Sequence, residues 1–201
     1  MLGGLWRKAR RFFSDTKQFV IIARTAGRQA KELEASRPRM PAQDDLPALK
    51  EWVQADILVG EAADRQACVA LLFAACAAEA FINSYAAREF PTAYFDAHID
   101  KLDIVSKWVL VPRLALGFEV DRGGQAFQLL RRLVVARNRL AHPKITKVAS
   151  EDDVHRAAAK VFQLHEDVDQ AIQALDALAD LVESFAGSDE AEVLRTPGVP
   201  S

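Results

Sequence analysis

The residues best suited to chemistry lie between Asp121 and Glu151, where the chain carries no acidic residue. Seven basic side chains occupy this stretch: Arg122, Arg131, Arg132, Arg137, Arg139, Lys144 and Lys147. A block of positive charge in a body that is otherwise net acidic can bind the phosphate groups of a nucleic acid. The same pattern also fits a solvated helix face that lies opposite acidic neighbours. Charge alone leaves both interpretations open.

Arg137 and His142 give this basic stretch a more specific chemistry. Helical periodicity from Gln125 to Ala141 places Arg137 within the apolar stripe of that helix, where a guanidinium is costly unless it is paired or reaches a wet cleft. His142 precedes Pro143, and a residue before proline is pushed out of α geometry. We therefore expect the helix to end near Ala141. The imidazole, which titrates near neutral pH, is then expected to turn back toward Arg137.

The segment Arg137-Asn138-Arg139-Leu140-Ala141-His142 resembles the motif of the HEPN domains, in which an arginine and a polar residue are followed, after a short gap, by a histidine. Two upstream segments fit the frame of the same family. The family's first core helix is resembled by Ala78-Glu79-Ala80-Phe81-Ile82-Asn83. The stretch from Asp103 through Lys107-Trp108 comes next, before the motif, which is the order of the elements in the family. The resemblance covers roughly residues 48–186 and leaves the N-terminal forty residues outside it.

The resemblance implies metal-independent cleavage of RNA in a cleft built by two protomers, and therefore a homodimer. By this resemblance His142 would be the general acid and base, Arg137 would stabilise charge on the phosphoryl oxygens, and Asn138 would orient Arg137 or the phosphate. The other basic residues would hold the RNA backbone without reading its sequence: Arg131, Arg132, Arg139, Lys144 and Lys147.

The family also suggests a physiological setting and an alternative use of the fold. The setting is defence or a toxin–antitoxin pair, with an antitoxin or another partner protein. The alternative is a non-catalytic helical module that binds RNA or docks in a larger complex, with the basic patch used for docking.

Glu79 and Asn83 interrupt an apolar stretch of helix at a spacing of four, which places them on one face. A carboxylate there needs a partner. Glu79 could form an internal ion pair with a basic residue, of which Arg137 is one candidate. Alternatively, it could position Arg137 for catalysis without contacting the RNA itself. His165 lies on the apolar seam of the last helix and is more typical of a satisfied core histidine than of a ligand. No spacing of histidines or carboxylates predicts a metal, and we expect no cofactor.

The elements that must position these residues are helices. Nearly every segment has helical periodicity, which predicts an all-α bundle with an N-terminal basic helix. The resemblance given above implies that the bundle is of the HEPN type. The predicted parts are a basic amphipathic helix over 1–36, a linker over 37–47, a HEPN-like helical domain over 48–186 and a disordered tail over 187–201. Within that domain we expect one long helix or two abutting helices over 48–89 with Gly60 as the joint, and further helices over 100–111, 125–141 and 150–186.

The charge distribution separates the N-terminal arm from the body. Residues 1–40 hold ten Lys or Arg and three Asp or Glu, whereas residues 41–201 hold sixteen and twenty-five. Three roles fit the arm. Residues 1–31 could contact anionic lipid, the arm could hold RNA, or it could pack on its own domain or its dimer mate. We expect the packing role.

The apolar runs are too short for a membrane or secretory segment. The longest run, over 67–78, has twelve residues where about twenty are needed to cross a bilayer. The apolar stretch over 19–23 is too short for a secretory signal. We therefore expect a cytoplasmic protein, with Cys68 and Cys76 as small buried thiols.

Overall fold

The chain folds into an all-α helical bundle, which confirms the predicted fold class. A computed structural model describes residues 15–42, 45–142 and 151–195, with only the backbone described over 151–162. The helices in these ranges are α1 (Thr16–Ala35), α2 (Leu46–Glu89), α3 (Thr92–Tyr94), a π-helical turn (Phe95–Ile99), α4 (Ile104–Leu116), α5 (Gln125–Ala141), α6 (Glu151–Ala186) and α7 (Ser188–Arg195).

Helix α2 is the central element, and it is continuous over its 44 residues. Asp45 caps its N-terminus by accepting a hydrogen bond from the Ala48 N–H at 3.1 Å, and Pro91 follows its end. The joint considered at Gly60 is not a break. The missing side chain at Gly60 instead leaves room for Arg37, whose Nη2 would lie 2.9 Å from a Cβ at this position.

The core is built on the apolar second half of α2. Leu71, Ala78 and Ile82 are fully buried there. Trp108 of α4 is buried in the same cluster, and its indole stacks on the Phe81 ring at 5.6 Å. Because a buried indole N–H needs an acceptor, its Nε1 donates to the Ala78 carbonyl oxygen at 3.1 Å. Helices α5 and α6 complete the cluster with fully or almost fully buried leucines: Leu130, Leu133, Leu175 and Leu178.

Helix α1 packs along α2 and belongs to the same core. Val20 and Ala23 are fully buried in the main cluster, and Ala26 and Ala30 are buried against α2 and α6. Small residues on both helices allow this close approach. From residue 16 onward, the expected packing of the arm on its own domain is therefore correct. The predicted linker joins two helices of one packed unit, and residues 1–14 lie outside the described residues.

The predicted disorder after residue 187 is wrong for residues 188–195, which form α7. Gly187 adopts a φ of 93°, a left-handed conformation that suits glycine and lets the chain turn after α6. Ala191 and Leu194 are then fully buried, and Glu190 pairs with Arg88 of α2 at 2.5 Å. The segment is too short for its periodicity to be detected in the sequence. Residues 196–201 are outside the described part of the chain.

The predicted bounds of the helix over 100–111 are also wrong, because the observed helix α4 continues through Pro112 to Leu116. Asp103 caps the N-terminus of α4 by accepting from the Ser106 N–H at 3.0 Å, so this helix begins later than expected. Pro112 lies inside the helix and is buried. The helix ends at Gly117, with a φ of 70°, because this left-handed residue lets its N–H bond the Arg113 carbonyl at 2.9 Å.

Helix α2 is also long and apolar enough to cross a membrane, judged by length and composition alone. Within the bundle, 50% of its most apolar 18-residue window is buried. Such shielding is typical of the core helix of a soluble protein.

Candidate active site at the end of helix α5

His142 lies just outside helix α5, as its position before Pro143 predicts. Ala141 is the last helical residue, and His142 has a φ of −129° and a ψ of 65°. Its backbone N–H still bonds the Asn138 carbonyl at 3.0 Å, so the chain leaves the helix at this residue. The side chain is exposed at the helix end.

A cavity of about 640 Å³ lies beside His142, where α5, α6 and α2 meet. Its polar lining consists of Asn138, Arg139, His142, Gln163 and Asp167. Its apolar lining consists of Leu71, Val135, Ala136, Leu140 and Leu164. The structure therefore brings two of the three predicted catalytic residues, Asn138 and His142, to one cavity.

Arg137 is not part of the lining of this cavity. It is half-buried, and its Nη1 donates to Asn138 Oδ1 at 3.0 Å. Its charge also reaches Cys76 of α2. Burial raises the pKa of the Cys76 thiol, and Arg137 partly opposes that rise. Among the described residues no hydrogen bond joins Arg137 to His142, and the hydrogen bond of the guanidinium goes to the Asn138 side chain instead.

Glu79 and Asn83 of α2 are not part of the lining of the cavity. Glu79 acts on the same Cys76 thiol and raises its pKa further. Within the described part of the chain, Glu79 forms no ion pair, so the predicted pairing with Arg137 is not found there. Asn83 Oδ1 is buried and has no hydrogen-bond partner among those residues.

The predicted RNA-binding arginines fall into two groups. Arg131 and Arg132 are exposed on the outer side of α5. Arg139 forms an ion pair with Asp167 of α6, whose side chain is only 12% exposed and which also accepts from Gln163 Nε2 at 3.2 Å. Arg139 therefore fits the second interpretation of the basic stretch, in which a positive side chain lies opposite an acidic neighbour. Lys144 and Lys147 lie outside the described residues.

A second polar cluster escaped the sequence analysis. His165 of α6 is partly buried, and its Nε2 lies 3.0 Å from Asp64 Oδ1 of α2 and 3.5 Å from Glu34 Oε1 of α1. His165 is satisfied by Asp64, as expected of a seam histidine, but it is not deep in the core. Nothing local in the sequence indicates this cluster, because its members are separated by 30 and 101 positions.

Comparison with known proteins gives no family for this chain. No protein-family model, no curated protein and no solved structure matches it. The resemblance to the HEPN domains therefore depends on the motif, its place at the end of α5 and the order of the surrounding helices.

Proposed function

We propose that this protein is a HEPN-like, metal-independent endoribonuclease that acts as a cytoplasmic homodimer. The observation that carries the proposal is the release of His142 from helix α5 beside a cavity that it shares with Asn138. An exposed imidazole at a cavity edge can exchange protons with a bound ribose, because one ring nitrogen can accept a proton and the other can donate one. A defence or toxin–antitoxin system, with a partner protein that restrains the activity, is part of the same proposal.

His142 acts on the ribose 2′-hydroxyl. The neutral imidazole accepts the proton of this hydroxyl, and O2′ attacks the adjacent phosphorus. The bond from phosphorus to the 5′-oxygen of the next nucleotide breaks, and that oxygen leaves with a proton from solvent. The products are a 2′,3′-cyclic phosphate and a 5′-hydroxyl. DNA lacks the attacking hydroxyl and resists cleavage.

Arg137 serves this reaction as a positioning residue through Asn138. Asn138 Oδ1 accepts a hydrogen bond from Arg137, and the amide Nδ2–H₂, which forms no hydrogen bond with the described residues, can donate to a phosphoryl oxygen. Negative charge develops on that oxygen during the attack, and a fixed donor stabilises it. The guanidinium thus sets the orientation of the amide and adds its positive charge from outside the cavity. Arg131 and Arg132 are exposed and available to hold the RNA backbone.

Cleavage assays on an RNA and the DNA of matching sequence test the proposal. We expect cleavage of RNA alone, and a loss of about 10²–10⁴-fold in His142→Gln, the range that a general acid–base group contributes. His98→Gln is the matched control, because His98 is exposed and contacts the ring of Tyr94, at 4.8 Å between ring centroids. Equal rates in His142→Gln and wild type would contradict the assignment.

A second candidate, the non-catalytic interaction module, is favoured by the apolar lining of the cavity. Five aliphatic residues line it, and Arg139 is already neutralised by Asp167. Such a cavity suits an apolar side chain of a partner protein better than a phosphate. This alternative would be supported if the purified wild type and His142→Gln both leave RNA and DNA uncleaved.

A further inference from the structure

The cluster of Glu34, Asp64 and His165 joins three helices through three metal-ligating side chains. One oxygen of each carboxylate and one imidazole nitrogen lie within 4.8 Å of one another. Each side chain is between one quarter and about one third exposed, so the cluster is neither sealed in the core nor free in solvent. None of the three lines the cavity beside His142.

Hydrogen bonds within the protein pair His165 with Asp64 and Glu34 with Arg37, but no single hydrogen bond joins all three side chains of the cluster. An imidazole Nε2 carries at most one proton, which His165 can donate to Asp64 at 3.0 Å or to Glu34 at 3.5 Å but not fully to both. Two carboxylates therefore converge on a single N–H. A cation between the three atoms would contact both carboxylates and the nitrogen lone pair together.

Arg37 orients the Glu34 carboxylate through hydrogen bonds to both of its oxygens. Its Nε and Nη2 each donate to one oxygen of Glu34 at 2.8 Å, and its Nη1 donates to both oxygens of Asp56 at 3.2 Å. Hydrogen bonds of this kind to a metal-binding carboxylate fix its direction and are typical of protein metal sites.

The charges of the cluster also fit a divalent ion. With a neutral imidazole, the three carboxylates of Glu34, Asp56 and Asp64 exceed the single charge of Arg37 by two. A bound dication neutralises this excess.

We propose that Glu34, Asp64 and His165 bind Zn²⁺. Ligands about 2.0–2.2 Å from a tetrahedral zinc ion lie about 3.3–3.6 Å from one another. The His165 nitrogen lies 3.0 and 3.5 Å from the two carboxylate oxygens, which lie within 4.8 Å of each other. One nitrogen and two carboxylate oxygens leave the fourth position to water. The ion ties α1, α2 and α6 together, and the site is independent of the proposed RNA cleavage.

Zinc titration of metal-depleted protein against a chromophoric chelator, with thermal melts, tests the site. We expect binding of one ion and a rise in Tm of about 5–10 °C at a zinc concentration about 100 times the Kd. His165→Gln and Asp64→Asn should each weaken binding by at least the 10–100-fold or so that substitution of an outer-shell partner costs. His98→Gln is the matched control and should bind as wild type does.

Two outcomes would overturn the proposal. One is wild-type protein that shows no zinc-dependent rise in Tm. The other is zinc binding that persists in His165→Gln and Asp64→Asn but disappears in Cys68→Ala, since Cys68 lies one turn after Asp64 and a thiolate also binds zinc. Circular dichroism of the metal-free variants separates loss of the site from loss of the fold. Cobalt(II) absorption without a thiolate charge-transfer band would support the nitrogen and oxygen ligand set.

Discussion

At the scale of single residues, the candidate site depends on the end of helix α5 before His142 and on the hydrogen bond from Arg137 to Asn138. His142 precedes Pro143, and this local rule made the end of α5 at Ala141 predictable from the sequence. The position of Arg137 on the apolar stripe was equally predictable, and it is half-buried as a result. Its contact with Asn138 rather than with His142 was not predictable, because the rotamer of a long side chain and its packing against α2 decide where the guanidinium lies.

The hydrogen bond from Arg137 to Asn138 predicts strongly coupled kinetics. Arg137→Ala and Asn138→Ala should each lower kcat by roughly 10–100-fold with little change in KM, as expected for a charged hydrogen bond that acts in the transition state. Because both act through one donor, the double variant should be little worse than either single variant.

Single-turnover cleavage by the two single variants and the double variant measures this coupling. Arg131→Ala, on the exposed side of α5, is the control and should raise KM alone. Fully multiplicative losses in the double variant would show that the two residues act separately.

Glu34 gives a prediction for acid stability. Hydrogen bonds from Arg37 lower the pKa of Glu34 below its ordinary value of 4.5. A lowered carboxyl pKa stabilises the fold above the unfolded value, and that stabilisation is lost as the pH falls through the folded value. Metal-free Glu34→Gln should therefore be less stable than wild type at neutral pH, and the difference should shrink as the pH falls below 4.5. Urea unfolding over this pH range measures it, and a difference that stays constant with pH would refute this account.

At the scale of helices, the sequence predicts those elements whose ends follow local rules. The bounds of α5 are the predicted ones, because Gly124 precedes it and His142 ends it. Pro112 misled the prediction for α4, since a single missing N–H does not stop a helix that Gly117 can end one turn later. Helix α7 was missed because its eight residues gain their stability from tertiary burial rather than from helix propensity.

Leu194 tests whether α7 is part of the fold. Because this side chain is fully buried, Leu194→Ala should lower the free energy of unfolding by about 2–4 kcal/mol. Leu58→Ala is the control, with a side chain that is 67% exposed and an expected change within about 0.5 kcal/mol. Chemical denaturation measures both. Equal stability of the two variants would mean that residues 188–195 do not pack as described.

At the scale of the whole molecule, the bundle brings together residues that are far apart in the chain. Periodicity indicated the fold class, but it could not show that α1 enters the core or that Glu34 meets His165. Such contacts depend on how helices stack, which a single sequence leaves open. The same packing places two candidate sites side by side on α6. Leu164 and Asp167 line the cavity, whereas His165 faces Glu34 and Asp64.

The chemical end left on RNA by the pure protein tests the central claim most directly. Attack by the 2′-hydroxyl must leave a 2′,3′-cyclic phosphate, which mass spectrometry of the products identifies by its mass, one water below that of the hydrolysed phosphate. The account predicts this end on RNA treated with metal-free wild type or His98→Gln, and its absence with His142→Gln. A product with a 3′-hydroxyl and a 5′-phosphate, or equal amounts of the cyclic phosphate from wild type and His142→Gln, would contradict it.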